Sequence, residues 1–157
     1  MAQAFRESRD IELSTIYYLE TAIATDWSSV TVIKSFTNAY KSALPVVCIR
    51  LTNTYNRRKE IGSTDLLNDY TITIDIFASS DGLRLDLSDY IVNKLKDSWV
   101  YYEHSQTSGA PETLTRTNGN KRVYVKNFLA NYKLDFGEEV DSYDRFRHFI
   151  QVSLRID

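Results

Sequence analysis

The sequence predicts one α+β domain: a mostly antiparallel β-sheet with two helices packed on one face, in the order α-β-β-β-α-β-β-β. Two segments place apolar residues three and four positions apart, as in an amphipathic helix. Several others alternate apolar and polar residues, as in a half-buried strand. The chain has 157 residues, of which 43% are apolar and 25% charged. These are ordinary values for a domain with a sizeable core, so we expect residues 1–157 to fold as one unit.

The N-terminal third predicts one helix and two strands. The helix runs from about Ser8 to Ala24, with apolar residues at three- and four-residue steps: Ile11, Ile16, Leu19, Ala22 and Ile23. Three carboxylates lie near its start, where the helix dipole favours anions: Glu7, Asp10 and Glu12. The β-branched run Val30–Ile33 predicts a first strand. Pro45 opens a second strand with alternate residues on one covered face: Val47, Ile49 and Leu51.

The central segment carries the strongest periodic signals. Residues 53–69 lose the alternation and predict a long charged connection or an extended hairpin tip. Tyr70–Ala78 then alternates strictly and predicts a strand, with three isoleucines on its apolar face: Ile72, Ile74 and Ile76. A helix from about Leu83 to Lys96 follows, with apolar residues at four-residue steps: Leu83, Leu87, Ile91 and Leu95. We expect this stripe to cover the isoleucines and form the core.

The C-terminal third predicts a short strand, a loop and two long strands. Trp99–Tyr102 is the short strand, and the Ser/Thr/Gly/Asn-rich segment Ser105–Asn120 is expected to be an exposed loop. In the strand Val123–Phe136 one face is expected to hold Tyr124, Phe128, Tyr132, Leu134 and Phe136. In the strand Arg145–Asp157 the apolar face is expected to hold Phe146, His148, Ile150, Val152, Leu154 and Ile156.

Composition excludes several classes of function. The formal charge is −2, so the chain lacks the positive field of a dedicated nucleic-acid-binding module. The N-terminus lacks the apolar core of a secretory signal, and no apolar run is long enough to span a membrane. The single cysteine, Cys48, allows no internal disulfide and no cysteine-based metal site. We therefore expect a protein of a reducing compartment with no membrane partner.

No catalytic constellation is apparent. His148 falls on the apolar face of the last predicted strand, which favours a hydrogen-bonded core histidine, and His104 begins the predicted loop without a metal-binding spacing. Cys48 lies in an apolar strand, which favours a buried thiol. Glycine-rich phosphate-binding motifs are absent from the sequence. We expect no catalytic residue, no metal and no cofactor.

The distribution of charge is the more informative feature. Every charged residue between Thr113 and Leu134 is basic, whereas all five from Asp135 to Asp144 are acidic. Opposite patches on one chain can pair head to tail, and such a contact repeated by rotation closes a ring. The candidate interface residues are Arg116, Lys121 and Arg122 against Glu138, Glu139 and Asp141, with an alternative basic partner in Arg57, Arg58 and Lys59. Alternatively, both patches are solvated faces of a hairpin.

One stretch resembles a known family. It comprises Ile61–Ser63, the strand Tyr70–Ser79 and the helix start Asp81–Ile91 with Leu95. These residues resemble the "iGs" turn, the Y-x-I-x-I-x-I-F-A strand and the R-x-D-L-[SA]-D helix start of tail terminator proteins of tailed bacteriophages. Leu44–Val47, which enters a strand, is also similar. The close match covers about a fifth of the chain, and the order of elements is similar over most of it.

The resemblance implies a structural virion protein of the tail or neck, assembled in the cytoplasm of the bacterial host. Such a protein forms a homo-oligomeric, hexameric ring that caps the tail tube, ends its polymerisation and offers a docking surface to the head connector or stopper. DNA would only pass through the bore, without sequence-specific binding. Three alternatives stay open: another neck protein such as a head–tail stopper or adaptor, a small enzyme using His104 or His148, and a host regulatory binding module.

Overall fold

The computed structural model describes residues 6–34, 36–107, 113–135 and 146–157. They form a curled six-stranded sheet and three helices, which makes the fold a mixed α+β domain. The elements in chain order are α1 Glu7–Asp26, β1 Thr31–Ile33, α2 Phe36–Ala39, β2 Val46–Arg58, β3 Leu66–Ala78, α3 Asp81–Leu95, β4 Trp99–Thr107, β5 Thr113–Leu134 and β6 Phe146–Ile156.

The sheet has the strand order β1-β2-β3-β6-β5-β4. The four pairings from β2 to β4 across the sheet are antiparallel, but β1 pairs with β2 in parallel, with Thr31 beside Val46. The sheet is thus mixed but mostly antiparallel, as predicted. The predicted order of elements is wrong in one respect, because the short helix α2 stands between β1 and β2. The chain must return to the same end of the sheet before β2 begins, and α2 lies in that crossover.

The inner face of the sheet carries the main core, and the predicted packing is confirmed there. Ile72, Ile74 and Ile76 of β3 are fully buried in one cluster with the α3 stripe: Leu87, Ile91 and Leu95, with Leu83 partly buried. The inward residues of β6 join the same cluster, as their alternation predicts. Helix α3 begins after Ser80, whose hydroxyl accepts a hydrogen bond from the backbone N–H of Leu83 at 3.2 Å.

Both long helices contribute to this inner cluster, as predicted, whereas α2 lies on the opposite, outer face. A second, smaller cluster there joins Ala39 of α2 to Val46, Cys48 and Phe77. Phe36 packs on Phe77 with ring centroids 5.9 Å apart. Cys48 is a buried free thiol, as its strand context predicts. The outer face is otherwise covered mainly by its own polar and charged side chains.

Helix α1 bonds to both free edges of the curled sheet. On the β4 edge, Asp10 accepts the backbone N–H of His104 at 3.0 Å, and the Ser14 hydroxyl accepts the N–H of Tyr102 at 2.9 Å. On the β2 edge, Glu12 accepts the backbone N–H of Leu51 at 2.6 Å. Beyond the three residues of β1, the edge of β2 has no strand neighbour within the described part of the chain. The helix therefore supplies hydrogen bonds that a neighbouring strand would otherwise make.

The structure corrects the predicted loop at Ser105–Asn120. Strand β4 continues to Thr107 and β5 begins at Thr113, so most of the segment is a hairpin in which Ser105 pairs with Thr115. Residues 108–112 lie outside the described part. Threonine is a good strand former, and cross-strand pairing satisfies backbone groups that a loop would expose to water. For residues 53–69 the hairpin alternative is confirmed, because β2 runs to Arg58 and β3 starts at Leu66.

The aromatic residues that the alternation places on one face of β5 do not pack into the core. Phe128 and Tyr132 are 46% and 48% exposed, while Val123 and Val125 take the inward positions. The register with β6 shifts twice, between Val125 and Asn127 and between Phe128 and Ala130. Each irregularity changes which residues face inward, so a strict two-residue period cannot describe this strand. Phe136, the last residue predicted on that face, lies outside the described residues.

None of the helices in the described residues is long and apolar enough to cross a membrane.

We expect Ile74→Asp to unfold the subunit, because Ile74 is fully buried between β3, β6 and α3. An unpaired buried carboxylate costs several kcal/mol, on the order of the whole stability of a domain. The matched control is Leu85→Asp, on the exposed side of α3. Circular dichroism and urea denaturation measure the effect. A soluble Ile74→Asp variant with a cooperative transition near that of wild type would contradict this placement.

We expect Asp10→Ala to lower the free energy of unfolding by about 1–3 kcal/mol, the cost of leaving a buried hydrogen-bond donor without an acceptor. The donor is the backbone N–H of His104; His104 Nδ1 and the Tyr101 hydroxyl contact the same carboxylate and lose that partner too. Glu20→Ala, at an exposed position of α1, is the control. Urea denaturation gives the difference. Equal stability of the two variants would show that α1 does not support the β4 edge through Asp10.

Candidate functional site

The residues predicted as interface candidates lie on two long hairpins. Arg57 and Arg58 end β2 opposite Leu67 and Leu66, and the N–H of Lys59 donates to the Asp65 carbonyl oxygen at 3.0 Å. All three basic side chains are exposed. The structure gives them no ion pair within the described part of the chain. They are therefore available to a partner.

The end of this hairpin, residues 55–66, is here called the tip. It also exposes three large apolar side chains: Tyr55, Ile61 and Leu66. Ile61 is completely exposed and precedes Gly62, whose φ of 85° is a turn conformation that glycine adopts without strain. The turn holds Ile61 at the extreme end of the hairpin. The tip also carries the exposed carboxylates Glu60 and Asp65, so its surface combines three cations and two anions with exposed apolar side chains.

The second basic set lies on β5 beside helix α1 and strand β4. The Arg116 guanidinium stands 4.0 Å from the ring centroid of Tyr17, and Arg122 Nε donates to the Ser98 hydroxyl at 2.7 Å. The Lys121 ammonium is 5.9 Å from the Tyr101 ring centroid. Their predicted acidic partners, Glu138, Glu139 and Asp141, lie outside the described residues. The pairing of these two patches thus stays a prediction.

An aromatic cleft, which the sequence reading missed, opens between α1 and the start of β4. It has a volume of ≈ 330 Å³, and its aromatic walls are Tyr17, Tyr18, Trp99 and Tyr102, with Thr21 and Arg122 also lining it. Tyr18 stacks on Trp99 with centroids 5.0 Å apart, and Tyr17 meets Tyr102 edge-on at 5.6 Å. The hydroxyl of Tyr18 donates to the Lys94 carbonyl oxygen at 2.9 Å, so an apolar ring face lines the cleft while its polar end is satisfied.

The electrostatics of the cleft are set by burial and by nearby charge. Burial and the carboxylate of Asp97 raise the pKa of Tyr18, while Arg122 opposes them. Tyr18 is therefore neutral in the physiological range and presents an uncharged ring. Two polar groups accompany the rings: Trp99 Nε1 has no hydrogen-bond partner within the described part of the chain, and Arg122 adds a positive charge to the lining.

Two buried aspartates on the outer face each form ion pairs with two basic side chains. Asp75 lies 3.1 Å from Arg147 and 3.4 Å from Arg50, and these bonds join β2, β3 and β6. Asp69 accepts from Lys126 and Arg155, both at 3.0 Å. Burial alone would raise the pKa of Asp69, but these two hydrogen bonds hold it below its ordinary value. Both clusters link strands, which is a structural role.

The two histidines are buried and bonded within the chain. His104 Nδ1 lies 3.2 Å from the Asp10 carboxylate, and His148 Nε2 contacts the amide oxygen of Asn131. Desolvation lowers the pKa of both imidazoles. The prediction of a hydrogen-bonded core histidine is confirmed for His148, whereas His104 lies under α1 rather than at the start of a loop.

The described residues form neither a metal-binding cluster nor a reactive thiol. Among the described residues, no three His, Cys, Asp or Glu side chains are placed to hold a metal ion. Burial, followed by the charge of Asp75, raises the pKa of the Cys48 thiol to about 11, so this thiol stays protonated. The tip and the cleft, by contrast, expose apolar side chains to solvent.

Comparison with protein-family models gives no match, and comparison with curated proteins gives none either.

We expect the wild-type chain to lose stability as the pH falls from about 7 to 5.5. Because the folded-state pKa of each histidine is below the ordinary value of about 6.5, the unfolded chain binds protons that the folded chain rejects. We expect a His104→Gln/His148→Gln variant to be less stable than wild type at pH 7.5. Its free energy of unfolding should change less between pH 7 and 5.5, and its assembly should be intact. Urea denaturation at several pH values tests this, and an unchanged slope in the variant would contradict it.

Proposed function

We propose that this chain is a structural subunit of a bacteriophage tail, specifically a tail terminator. It forms a ring, expected to be hexameric, that caps the tail tube, ends its polymerisation and docks the head connector or stopper. Its partners are further copies of itself, the tail tube protein and the connector. The DNA passes through the bore without being read. The protein belongs in the tail or neck of the virion.

The observation that carries this proposal is the resemblance over β3 and α3. In this chain the resembling residues are the centre of the fold: Ile72, Ile74 and Ile76 lie beneath the helix that carries the R-x-D-L-S-D start. Arg84, the first residue of that motif, donates to the Arg147 carbonyl oxygen of β6 at 3.1 Å and to Asp81 at 3.1 Å. The similar residues thus hold the helix on the sheet, which supports a shared fold and not only a shared pattern.

The surfaces are compatible with ring assembly. A cyclic ring of identical subunits buries two different patches of each subunit, because the contact is heterologous. The basic, apolar tip and the aromatic cleft are two such patches of different chemistry. Among the three alternatives, the small enzyme has the least support, because both imidazoles are buried and bonded to Asp10 and Asn131.

A second neck function, that of a head–tail stopper or adaptor, uses the same kind of ring. Polymerising purified tail tube protein in the presence of this chain distinguishes the terminator from the stopper or adaptor. A terminator shortens tubes and labels one end of each, as seen by electron microscopy. A chain that leaves tube length unchanged but binds the portal end of filled heads is a stopper or adaptor. No effect in either assay contradicts both proposals.

We expect the triple reversal Arg57→Glu/Arg58→Glu/Lys59→Glu to fold normally yet to assemble poorly or to block docking to tube or connector. Exposed single pairs contribute only about 0–1 kcal/mol, so the effect requires the whole set repeated around a ring. Light scattering at two salt concentrations, followed by a tail-joining assay, measures the loss. The control Arg57→Lys/Arg58→Lys/Lys59→Arg keeps the charge and should behave as wild type.

Normal rings and normal tail joining by the triple reversal would exclude this basic set as an interface. The reciprocal change, Glu138→Lys/Glu139→Lys/Asp141→Lys, tests the acidic patch in the same assays. If both triple variants assemble normally, the ring is held by apolar and tyrosine contacts.

A further inference from the structure

We propose that the aromatic cleft binds a segment of a partner protein in which an aromatic side chain stands next to a carboxylate. The ring of that side chain enters the cleft, and the carboxylate contacts Arg122. Only the kind of partner rests on the proposed function: a tail terminator has to dock the tube protein and the connector, and the cleft serves one of these contacts. The chemistry of the ligand follows from the cleft itself.

The walls of the cleft are suited to an aromatic side chain. Four rings line its volume of ≈ 330 Å³: Tyr17, Tyr18, Trp99 and Tyr102. They already meet each other stacked and edge-on, with ring centroids 5.0 Å and 5.6 Å apart, which are the arrangements that aromatic rings prefer. The hydroxyl of Tyr18 donates to the Lys94 carbonyl oxygen, so a ring that enters beside Tyr18 displaces no hydrogen bond of that hydroxyl.

The charge at the cleft favours an anion. Among the residues that the structure describes, Arg122 is the one charged residue in the lining. Its Nε donates to the Ser98 hydroxyl and its Nη2 to the Ser98 carbonyl oxygen, and neither acceptor is charged. These bonds hold the guanidinium in place but leave it without a carboxylate in the described part of the chain. A guanidinium binds a planar carboxylate through charge-assisted hydrogen bonds, which are stronger than bonds to neutral acceptors.

The indole of Trp99 adds a second requirement. Trp99 is only 2% exposed, and its Nε1 has no hydrogen-bond partner within the described residues. An indole N–H is a donor only, and a buried donor without an acceptor is unfavourable. The ligand therefore has to bring an acceptor, which a carboxylate oxygen or a neighbouring backbone carbonyl oxygen supplies. An ammonium or guanidinium group brings none, so a basic side chain does not fit.

The shape of the cleft favours a segment of a protein over a free small molecule. Several lining residues are exposed, so the cleft covers its occupant on one side: Thr21, Thr25, Ser98 and Arg122. Small-molecule sites usually bury most of the ligand. Trp99 and Val100 also lie on β4, an edge strand whose outer side has no strand neighbour in the described part of the chain. An extended segment can bond to such an edge while one of its side chains fills the cleft.

A second copy of this chain matches the cleft poorly through its exposed apolar surfaces. The tip places three cations beside its two anions. On β5, Phe128 and Tyr132 are exposed between Lys126 and Lys133. Either surface brings cations toward Arg122, and like charges oppose such a contact. A different protein is therefore the better occupant.

Two opposite charges near the cleft predict how its affinity should respond to substitution. Asp97 is exposed and precedes Ser98, and both Asp97 and Arg122 are close enough to act on the pKa of Tyr18, in opposite directions. An acidic ligand is attracted by Arg122 and repelled by Asp97. Loss of the first charge should weaken binding and loss of the second should strengthen it, whereas a purely apolar contact would respond to neither.

The test uses the peptide acetyl-Gly-Phe-Glu-Gly-amide, titrated into the isotope-labelled full chain and followed by NMR. The signal is the indole N–H of Trp99, and the indole of Trp27, outside the cleft lining, is the internal control. Peptides with Gln in place of Glu, or Ala in place of Phe, test the two halves of the ligand. The variants are Arg122→Gln and Asp97→Asn. Lys96→Gln is the matched control, since Lys96 lies outside the lining; all three positions are exposed, so the variants should fold.

We expect the Trp99 signal to shift in a saturable way while the Trp27 signal does not move. The Gln peptide and Arg122→Gln should each weaken binding about tenfold, the effect of losing a charge-assisted hydrogen bond. The Ala peptide should bind at least as weakly, because it lacks the ring. Asp97→Asn should strengthen binding about two- to fivefold, the range for an exposed charge pair, and Lys96→Gln should bind as wild type.

An unmoved Trp99 signal, equal binding of the Gln peptide, or unchanged affinity in Arg122→Gln would overturn the inference. Tighter binding of phenylpropionate than of the peptide would do the same, because it identifies a small acid as the ligand. Dissociation of an oligomer by the peptide, measured by light scattering, would also contradict it, because a second copy then fills the cleft. If wild type still ends tube growth in these cases, the proposed function stands. If wild type does not end tube growth while the Trp99 signal shifts as expected, the ligand chemistry stands and only the proposed function fails.

Discussion

The bonds from helix α1 to the two edges of the sheet are the constraint on which the rest of the structure depends. A sheet edge presents unpaired backbone groups, and α1 satisfies them on β4 through Asp10 and Ser14 and on β2 through Glu12. One helix can reach both edges only if the sheet curls around it. The curl encloses the core, and it also makes the cleft, which opens beyond Ser14, where α1 no longer bonds to the backbone of β4.

The sequence predicts well those elements whose burial is decided locally. In β3, α3 and β6 each inward residue follows from a regular period, because one face packs on the core along the whole element. Strand β5 departs from a regular period because its register with β6 shifts twice. Phe128 and Tyr132 are exposed there, while Val123 and Val125 pack in the core. The β4–β5 hairpin is not predicted for another reason. Its threonine-rich strands are stabilised by pairing with each other, and composition alone does not reveal that pairing.

The two candidate surfaces also differ in how far the sequence predicts them. The basic tip could be found from sequence because Arg57, Arg58 and Lys59 are consecutive, and charge runs are exposed in almost any fold. The cleft could not, because its walls come from the middle of α1 and the start of β4, about 80 residues apart in the chain. The sequence does contain two aromatic groups, Tyr17–Tyr18 and Trp99–Tyr102. Tyrosines on a helix also fit an ordinary core, so these groups alone do not indicate a cleft. Likewise Asp10 and Glu12 suit a helix start, and only the fold shows that they bond to strands.

The polar outer face helps to explain how the projecting β2–β3 hairpin is held in one direction. Association is weakened by the conformational freedom that the partners lose, so a tip already held in shape binds more tightly than a mobile one. Asp69 pairs with Tyr55 of β2 in the ladder near the base of the tip, and its carboxylate is bonded by Lys126 of β5 and Arg155 of β6. Three strands are thus tied to β3 where the hairpin leaves the sheet. A buried cluster of this kind gives little net stability of its own. Its effect here is to fix the direction of the hairpin, and with it the position of Ile61 relative to the body of the subunit.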